Sequence, residues 1–178
     1  MQVTVRHATL DDAPGIARVH VESWQSAYRG IVPDDVLDRL DVANRQSRWE
    51  RIMESAGPQW ALLVAEGADD QIIGFANGGP THSDLPGYEC ELYAIYLMDS
   101  VQSFGLGRRL TEFFAQAMLD YGFRSMMVWV LADNAQAIGF YEHMGGELIA
   151  EGIHTIGGVD LKKVAYGWPD LEKILNRS

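Results

Sequence analysis

One segment, residues 88–132, restricts the possible folds more than any other part of the chain. It begins with "YECELYAIYL", whose aromatic and β-branched residues are typical of a strand. A glycine-rich turn follows, and then a helix with apolar residues at helical spacing, namely Leu110, Phe113, Phe114, Ala117 and Tyr121. The unbroken apolar run "MMVWVLA" is typical of a strand that is buried on both faces. Because such a crossover is right-handed and makes its two strands parallel, the segment predicts a mixed α/β fold.

The rest of the chain supplies the remaining elements. Alternating or continuous apolar residues predict further strands at residues 3–8, 60–66, 72–78, 147–153 and 160–168. Helices are predicted from the capping box of Thr9 with Asp12 to about Ala27, after Pro33, at 43–54 and at 133–146. We predict one domain over residues 1–178, in the order β-α-α-β-β-β-α-β-α-β-β, with a largely antiparallel N-terminal half.

Composition and charge exclude several classes of protein. The net charge of −11 repels nucleic acid and anionic lipid, and it is compatible with a cationic substrate or with simple solubility. Cys90 is the only cysteine, so neither an internal disulfide nor a cysteine-based metal site is expected. The first residues lack the features of a signal peptide, and no apolar run approaches the roughly 18 residues that span a bilayer. We therefore expect a soluble, cytoplasmic protein without a metal.

The turn "VQSFGLGRRL" between the first strand and the helix has the features of an anion site. Backbone N–H groups at a helix N-terminus are unpaired and attract negative charge. Gly105 and Gly107 let a phosphate approach the backbone, Gln102 can donate from its amide, and Arg108 and Arg109 add positive charge. The alternative is a plain strand-to-helix turn. The stretch is too short for a Walker loop and lacks the third glycine of a dinucleotide fingerprint.

Two motifs in this region resemble those of the GCN5-related N-acetyltransferase (GNAT) superfamily. "ELYAIYLMDSVQSFGLGRRL" is similar to its acetyl-CoA-binding motif, with Gln102, Gly105 and Gly107 at the fixed positions. "VWVLADNAQAIGFYEHMGGELI" is similar to its second motif, and the opening 29 residues from Val5 resemble its first strand and helix. The resemblance covers nearly the whole chain. It implies transfer of an acetyl group from acetyl-CoA to a primary amine.

The resemblance also implies where the cofactor binds. In the family, a bulge splays the central strand from its neighbour, and the pantetheine arm lies in the gap. Here main-chain groups near Ile95 and Leu97 would take that role, while their side chains pack in the core. The pyrophosphate would lie on the turn and helix start formed by Gln102, Ser103, Phe104, Gly105, Leu106, Gly107 and Arg108. From the second motif, Asn134, Ala137 and Phe140 would complete the cofactor site, although Asn134 is equally explained as a helix cap. We expect the Phe104 ring to point out of the turn.

Two side chains are the implied catalytic groups. Tyr141 matches the family tyrosine that acts as general acid toward the CoA sulfur; its alternative is an aromatic on the buried face of a short helix. Glu91 is the candidate base on the central strand, and Glu89, which shares its face by period 2, is the rival. A solvated charge at the strand end is the alternative for either glutamate.

The acceptor pocket is the part that the sequence defines least. Trp24 and Tyr28, the loop from His82 to Asp84, and Tyr93 beside Glu91 fall where the superfamily builds it. Trp24 can equally be a core residue of its helix. The small-molecule or peptide amine is left open, and the closing strands offer a surface for a homodimer. The rival functions are a non-catalytic acyl-CoA sensor of the same fold and a nucleotide-binding enzyme, against which the missing Walker lysine argues.

Overall fold

A computed structural model describes residues 2–177 and folds them around one sheet of seven strands. The strands are β1 (Thr4–His7), β2 (Ala61–Glu66), β3 (Ile72–Pro80), β4 (Cys90–Leu97), β5 (Met126–Leu131), β6 (Glu147–Ile156) and β7 (Val159–Trp168). The helices are α1 (Ala13–Ala27), α2 (Asp34–Asp38), α3 (Val42–Ser55), α4 (Leu106–Asp120), α5 (Ala135–His143) and α6 (Glu172–Leu175). The predicted α/β fold is confirmed, and the elements follow the predicted order except that three helices, not two, lie between β1 and β2. The structure adds the four-residue α6, and the helix that Pro33 starts is the five-residue α2.

The strands follow the order β1-β2-β3-β4-β5-β7-β6 across the sheet. Within residues 2–177, β4 and β5 are the parallel neighbours and the other pairs are antiparallel. Helix α4 makes the predicted crossover between β4 and β5. In that part of the chain, no helix is both long and apolar enough to cross a membrane.

Two apolar layers cover the two faces of the sheet. On one face, α4 buries Leu110, Phe114 and Met118 completely against the strands. On the other face, α1 and α3 cover a second cluster that contains Ile16 and Trp49. A third, smaller cluster lies under α2 and the end of α1, where Val32, Leu37 and Leu131 pack together. The side chains of one strand are thereby divided between an α4 side and an α1 side.

A bulge in β4 is the feature that opens the sheet. Asn77 of β3 is opposite Ala94, but the next residue, Gly78, is opposite Leu92, so Tyr93 is the extra residue. β4 pairs with β5 only at its first two residues, Cys90 with Met126 and Glu91 with Met127. Beyond this point the two strands separate. The predicted splayed central pair is therefore present.

Candidate active site

A cavity of about 770 Å³ lies where β4 and β5 separate. Its walls come from these two strands, the turn before α4, the α5 helix, the end of α1 and the β6–β7 hairpin. The residues predicted for the cofactor, the catalytic groups and the acceptor line this cavity, with the exception of Phe104, Arg109, Glu89 and the loop from His82 to Asp84. The two motifs and the N-terminal helix, which are far apart in sequence, therefore contribute to one site.

The backbone of β4 offers free N–H groups to the gap. Met98 donates its N–H to the Ile73 carbonyl of β3 at 2.9 Å. Because N–H direction alternates along an antiparallel strand, the N–H groups of Ile95 and Leu97 point the other way, toward the gap. Their side chains pack against the α4-side core. The side chains therefore pack in the core as expected, and the main-chain N–H groups are free on the side of the gap; that they bind the cofactor stays a prediction.

The glycine turn has two residues in the left-handed region. Gly105 has φ +72° and stands at the N-cap of α4, and Ser103 has φ +74°, which is strained for a residue with a side chain. Gly107 faces Phe140 so closely that a Cβ there would lie 3.3 Å from the ring. The turn is therefore shaped by its backbone, with the amide groups of the first α4 turn at its centre.

The side chains around this turn are already engaged with one another. Gln102 donates to Asp99 at 3.2 Å and accepts from Gln136 at 2.8 Å. Arg108 donates to Glu112 at 3.0 Å and to the Arg177 carbonyl. Gln102 therefore fixes the turn by bonds within the protein.

Two residues beside the turn lie away from the cavity. Arg109 donates to the Val3 carbonyl at 3.1 Å, on the side of β1, and it does not line the cavity. Of the two arginines expected to add positive charge at the turn, Arg108 is therefore the one that borders the cavity. Phe104 is 71% exposed, outside the lining, so its ring points out of the turn as expected. Only its backbone is left to contact a cofactor.

The second motif forms α5 and its cap. Asn134 accepts a hydrogen bond from the Ala137 N–H at 3.2 Å, which is the helix-cap role considered as its alternative. Ala137 and Phe140 extend the apolar wall beside the glycine turn. This wall gives an apolar surface next to the free N–H groups of β4.

Tyr141 is buried yet borders the cavity, with an exposed fraction of only 6%. Its hydroxyl forms no hydrogen bond with the protein among residues 2–177, and its ring packs edge-on against Trp168. Burial, with a smaller effect of the nearby Tyr28, raises the pKa of Tyr141 well above its ordinary value. The phenol is therefore protonated at neutral pH.

Glu91 and Glu89 have different surroundings. Glu91 lines the cavity, and its Oε1 accepts from the Thr81 hydroxyl at 3.2 Å and from the His82 N–H at 3.3 Å. Glu89 precedes β4, is exposed, and accepts from the Arg124 N–H at 2.5 Å. Alternation along the strand predicts that Glu91 and Glu89 share one face, but in the structure only Glu91 lines the cavity.

The acceptor-side residues form an aromatic wall. Trp24 and Tyr28 meet edge to face with ring centroids 4.8 Å apart, and the Trp24 indole N–H is buried without a partner in the described part of the chain. Tyr93 lines the cavity and stacks on His82 at 4.8 Å. The loop from His82 to Asp84 does not line the cavity itself. Its contribution is to support Glu91 and Tyr93.

Several cavity residues were not foreseen from the sequence. Trp129 lies inside the apolar run that predicts β5, and Lys163 and His154 lie on the closing strands. Alternation along β7 was a usable signal for Lys163, because Leu161 and Lys163 share one face. The long-range pairing of β5 with β7, which brings that face to the cavity, had no signal in the sequence.

Cys90 is not placed for covalent catalysis. It is completely buried, its thiol donates to the Ser125 carbonyl at 3.2 Å, and burial raises its pKa to about 12. Over residues 2–177, no group of three or more His, Cys, Asp or Glu side chains is arranged to hold a metal ion. The groups of the cavity that can exchange a proton include the Glu91 carboxylate and the Tyr141 phenol.

Comparison with known proteins identifies this arrangement. Residues 21–146 match the family described as the acetyltransferase (GNAT) family, and the chain therefore belongs to it. The chain is 41% identical to the uncharacterized N-acetyltransferase YuaI of Bacillus subtilis, over 98% of this chain and 99% of that protein. It is 24% identical to an L-methionine sulfoximine/L-methionine sulfone acetyltransferase of Pseudomonas paraeruginosa, over 83% and 82% of the two chains.

Solved structures share the fold. The PaiA N-acetyltransferase of Thermoplasma acidophilum, crystallised in complex with coenzyme A, superposes with a TM-score of 0.71 at 21% identity, over 92% of this chain and 98% of that one. The chain is thus an N-acetyltransferase of the GNAT family.

Proposed function

We propose that this N-acetyltransferase transfers an acetyl group from acetyl-CoA to a primary amine by direct attack in a ternary complex. One observation supports the proposal above the others. The gap beside Ile95 and Leu97 connects the glycine turn at one end with Glu91 and Tyr141 along the same cavity. Proximity and orientation in such a site can supply most of the rate gain.

The cofactor would be held mainly by the backbone. The amides of the turn from Gln102 to Gly107, with Arg108 beside them, suit a pyrophosphate, because they lie at a helix N-terminus with open space at Gly105. The N–H groups of Ile95 and Leu97 suit the pantetheine arm and the acetyl carbonyl oxygen. When bound, acetyl-CoA supplies a thioester carbonyl as the electrophile and a thiolate as the leaving group.

Glu91 would act as the base. Its carboxylate faces the cavity and is fixed by Thr81 and by the His82 N–H, so it is oriented without being neutralised by a cation. At Oε1 or Oε2 it would accept the proton of the incoming ammonium, directly or through a water. Glu89 is occupied by the Arg124 N–H outside the cavity and is the matched control.

Tyr141 would act as the acid. Its hydroxyl keeps its proton at neutral pH because burial raises its pKa. A proton held there can be returned to the sulfur when the thiolate leaves, and the Tyr141→Phe change removes it while the ring packing stays. Tyr121, whose hydroxyl donates to the Trp60 carbonyl at 3.4 Å away from the cavity, provides a control phenol.

The test measures CoA release over a panel of chemically diverse amines, with CoA affinity measured by calorimetry. We expect Tyr141→Phe and Glu91→Gln to lower kcat by roughly 10²–10⁴-fold, with CoA affinity within about twofold of wild type. The loss in Glu91→Gln shrinks at high pH, because more of the amine is then already deprotonated. Tyr121→Phe and Glu89→Gln should match wild type.

The outcomes separate the alternatives. Wild-type turnover in Tyr141→Phe would remove Tyr141 from the acid role. Tight CoA binding with no turnover of any amine would favour the non-catalytic sensor. We further propose that residues 1–178 form one acyltransferase domain that acts in the cytoplasm on a small-molecule or peptide amine. A homodimer through the closing strands is a separate prediction, which light scattering can test.

A further inference from the structure

The charged side chains that line the cavity lie on different sides of the sheet. Arg108 stands beside the glycine turn at the start of α4. Lys163 is opposite Leu131, whose side chain packs under α2 on the α1 side. Glu91 also points to the α1 side, because its neighbours Cys90 and Leu92 both pack in the α4-side core. Glu91 and Lys163 therefore share the face that the cofactor turn does not occupy.

The Lys163 ammonium is held in place on this face. It lies 4.0 Å from the centroid of the Trp129 ring, and the side chain is half-buried. No carboxylate of residues 2–177 forms a salt bridge with it, although the chain has 25 acidic and 14 basic residues. A half-buried, unpaired ammonium at a cavity wall is a costly arrangement that a bound anion would relieve.

The cofactor has no anion to offer at this position. Its phosphates belong with the glycine turn and Arg108, on the α4 side, and its pantetheine arm and acetyl group are uncharged. The anion that meets Lys163 must therefore come from the acceptor. The amine of the same acceptor must meet Glu91, if Glu91 is the base.

The spacing suits a small molecule that carries both groups. Glu91 is opposite Met127, and Trp129 lies two residues further along β5. With strand spacings of about 4.8 Å across and about 3.3 Å per residue, the Cα atoms of Glu91 and Trp129 are about 8 Å apart or slightly more as the strands separate. Glu91 and Trp129 are thus near neighbours on one face, and the Lys163 ammonium lies over the Trp129 ring, so one small acceptor can contact both charged groups.

We infer that the acceptor is an amine that also carries a carboxylate, of the α-amino acid type, with its amine at Glu91 and its carboxylate at Lys163. The inference rests on the proposed function, because it assigns the acceptor side of the same cavity. Lys163 is then a specificity-determining residue. The net charge of −11 is compatible with a cationic acceptor, but Lys163 on this wall favours an acceptor that also carries an anion.

The test compares acceptors that differ only in the carboxylate. The acceptors are the common L-amino acids and their matching carboxamides, with CoA release as the readout. In wild type, we expect kcat/KM for the preferred amino acid to exceed that of its amide by about 10- to 100-fold, as suits a charge-assisted hydrogen bond in a partly buried site. Lys163→Met keeps an apolar stem over Trp129 and should reduce this ratio to near one.

Two variants guard against a structural explanation. Lys163→Arg keeps the charge and should keep at least about half of the wild-type ratio. Lys162→Met changes the neighbouring exposed lysine on the opposite face of β7 and should leave the ratio unchanged. Calorimetry with CoA should give the same affinity in all three variants, which shows that the fold and the cofactor side are intact.

Each result decides the inference. A wild-type preference for amides, or an equal loss for acids and amides in Lys163→Met, would overturn it. If no amine is acetylated, the proposed function is wrong. Lys163 can still be tested by comparing the affinity of the CoA complex for N-acetyl amino acids with its affinity for the matching N-acetyl amino amides. Tighter binding of the N-acetyl amino acids that disappears in Lys163→Met supports the inference. Equal affinities of wild type for the acids and the amides would overturn it.

Discussion

Replacement of Gly105 tests the anion site at the glycine turn most directly. Gly105 has φ +72°, and a Cβ built there has no atom within 4 Å, so an added side chain extends into open space at the N-terminus of α4. In Gly105→Asp, that space contains a carboxylate beside the expected pyrophosphate. The exposed site leaves the fold intact while it changes the charge where the phosphates bind.

The expected loss follows from Coulomb's law. Two unit charges about 5 Å apart repel by about 1 kcal/mol in water and about 3 kcal/mol at an effective dielectric constant of 20. These energies correspond to about a 5- to 150-fold loss of affinity. Gly105→Asn has the same shape without the charge and should lose only a few-fold. The gap between the two variants should narrow at high salt, because exposed charges are screened.

Gly122 provides a matched control for backbone strain. It has φ +95° at the opposite end of the same helix, and it too has no atom within 4 Å of a built Cβ. Gly122→Asp should cost a similar 1–2 kcal/mol of stability, because a side chain is disfavoured in the left-handed region, yet leave CoA binding unchanged in calorimetry. Equal affinities of Gly105→Asp and Gly105→Asn, or an equal loss in Gly122→Asp, would refute the anion site.

Two further predictions concern stability. His20 is half-buried beside Trp49, whose indole N–H it accepts at 3.1 Å, and desolvation lowers the pKa of His20 to about 3. Because the unfolded chain then binds the proton more readily, the free energy of unfolding should fall by about 2 kcal/mol between pH 7 and 5. In urea titrations, His20→Gln should abolish this part of the pH dependence, and an unchanged pH dependence would contradict the prediction. A Cβ at Gly78 would lie 2.5 Å from the Phe114 ring, so Gly78→Ala should lower the free energy of unfolding by more than about 2 kcal/mol. As a control in the same urea titration, Gly139→Ala should leave that free energy unchanged or raise it, because a Cβ at Gly139 of α5 has open space around it.

Much of the fold could be predicted because local signals agreed with one another. The strand, glycine turn and amphipathic helix before Gly122 predict the crossover, and the structure places α4 within a few residues of the expected range. The turn residues of the motif are adjacent in sequence, so their proximity needed no tertiary information. The closing hairpin extends further than expected, to Ile156, because Gly157 and Gly158 both adopt positive φ and make the turn there.

The parts that escaped prediction depend on pairing between distant strands. Glu91 and Glu89 look equivalent by period 2, but β4 starts at Cys90, and Glu89 bonds the Arg124 N–H outside it. Lys163 reaches the cavity only because β7 pairs with β5, which places it opposite Leu131. Alternation within β7 indicates which face Lys163 shares with Leu161, but the pairing that brings this face to the cavity has no local sequence signal, and neither has the Glu89–Arg124 contact.

The bulge at Tyr93 explains why both halves of the site can exist on one strand. Before the bulge, the Cys90 N–H points toward β5, where it donates to the Ser125 carbonyl at 3.1 Å. The extra residue then shifts the alternation by one, so that Ile95 and Leu97, at odd positions, point their N–H groups to the same side. Without that shift they would bond to β3, and the gap would lack donors. One inserted residue thus keeps Glu91 on the α1 side while it turns the later N–H groups toward the cofactor.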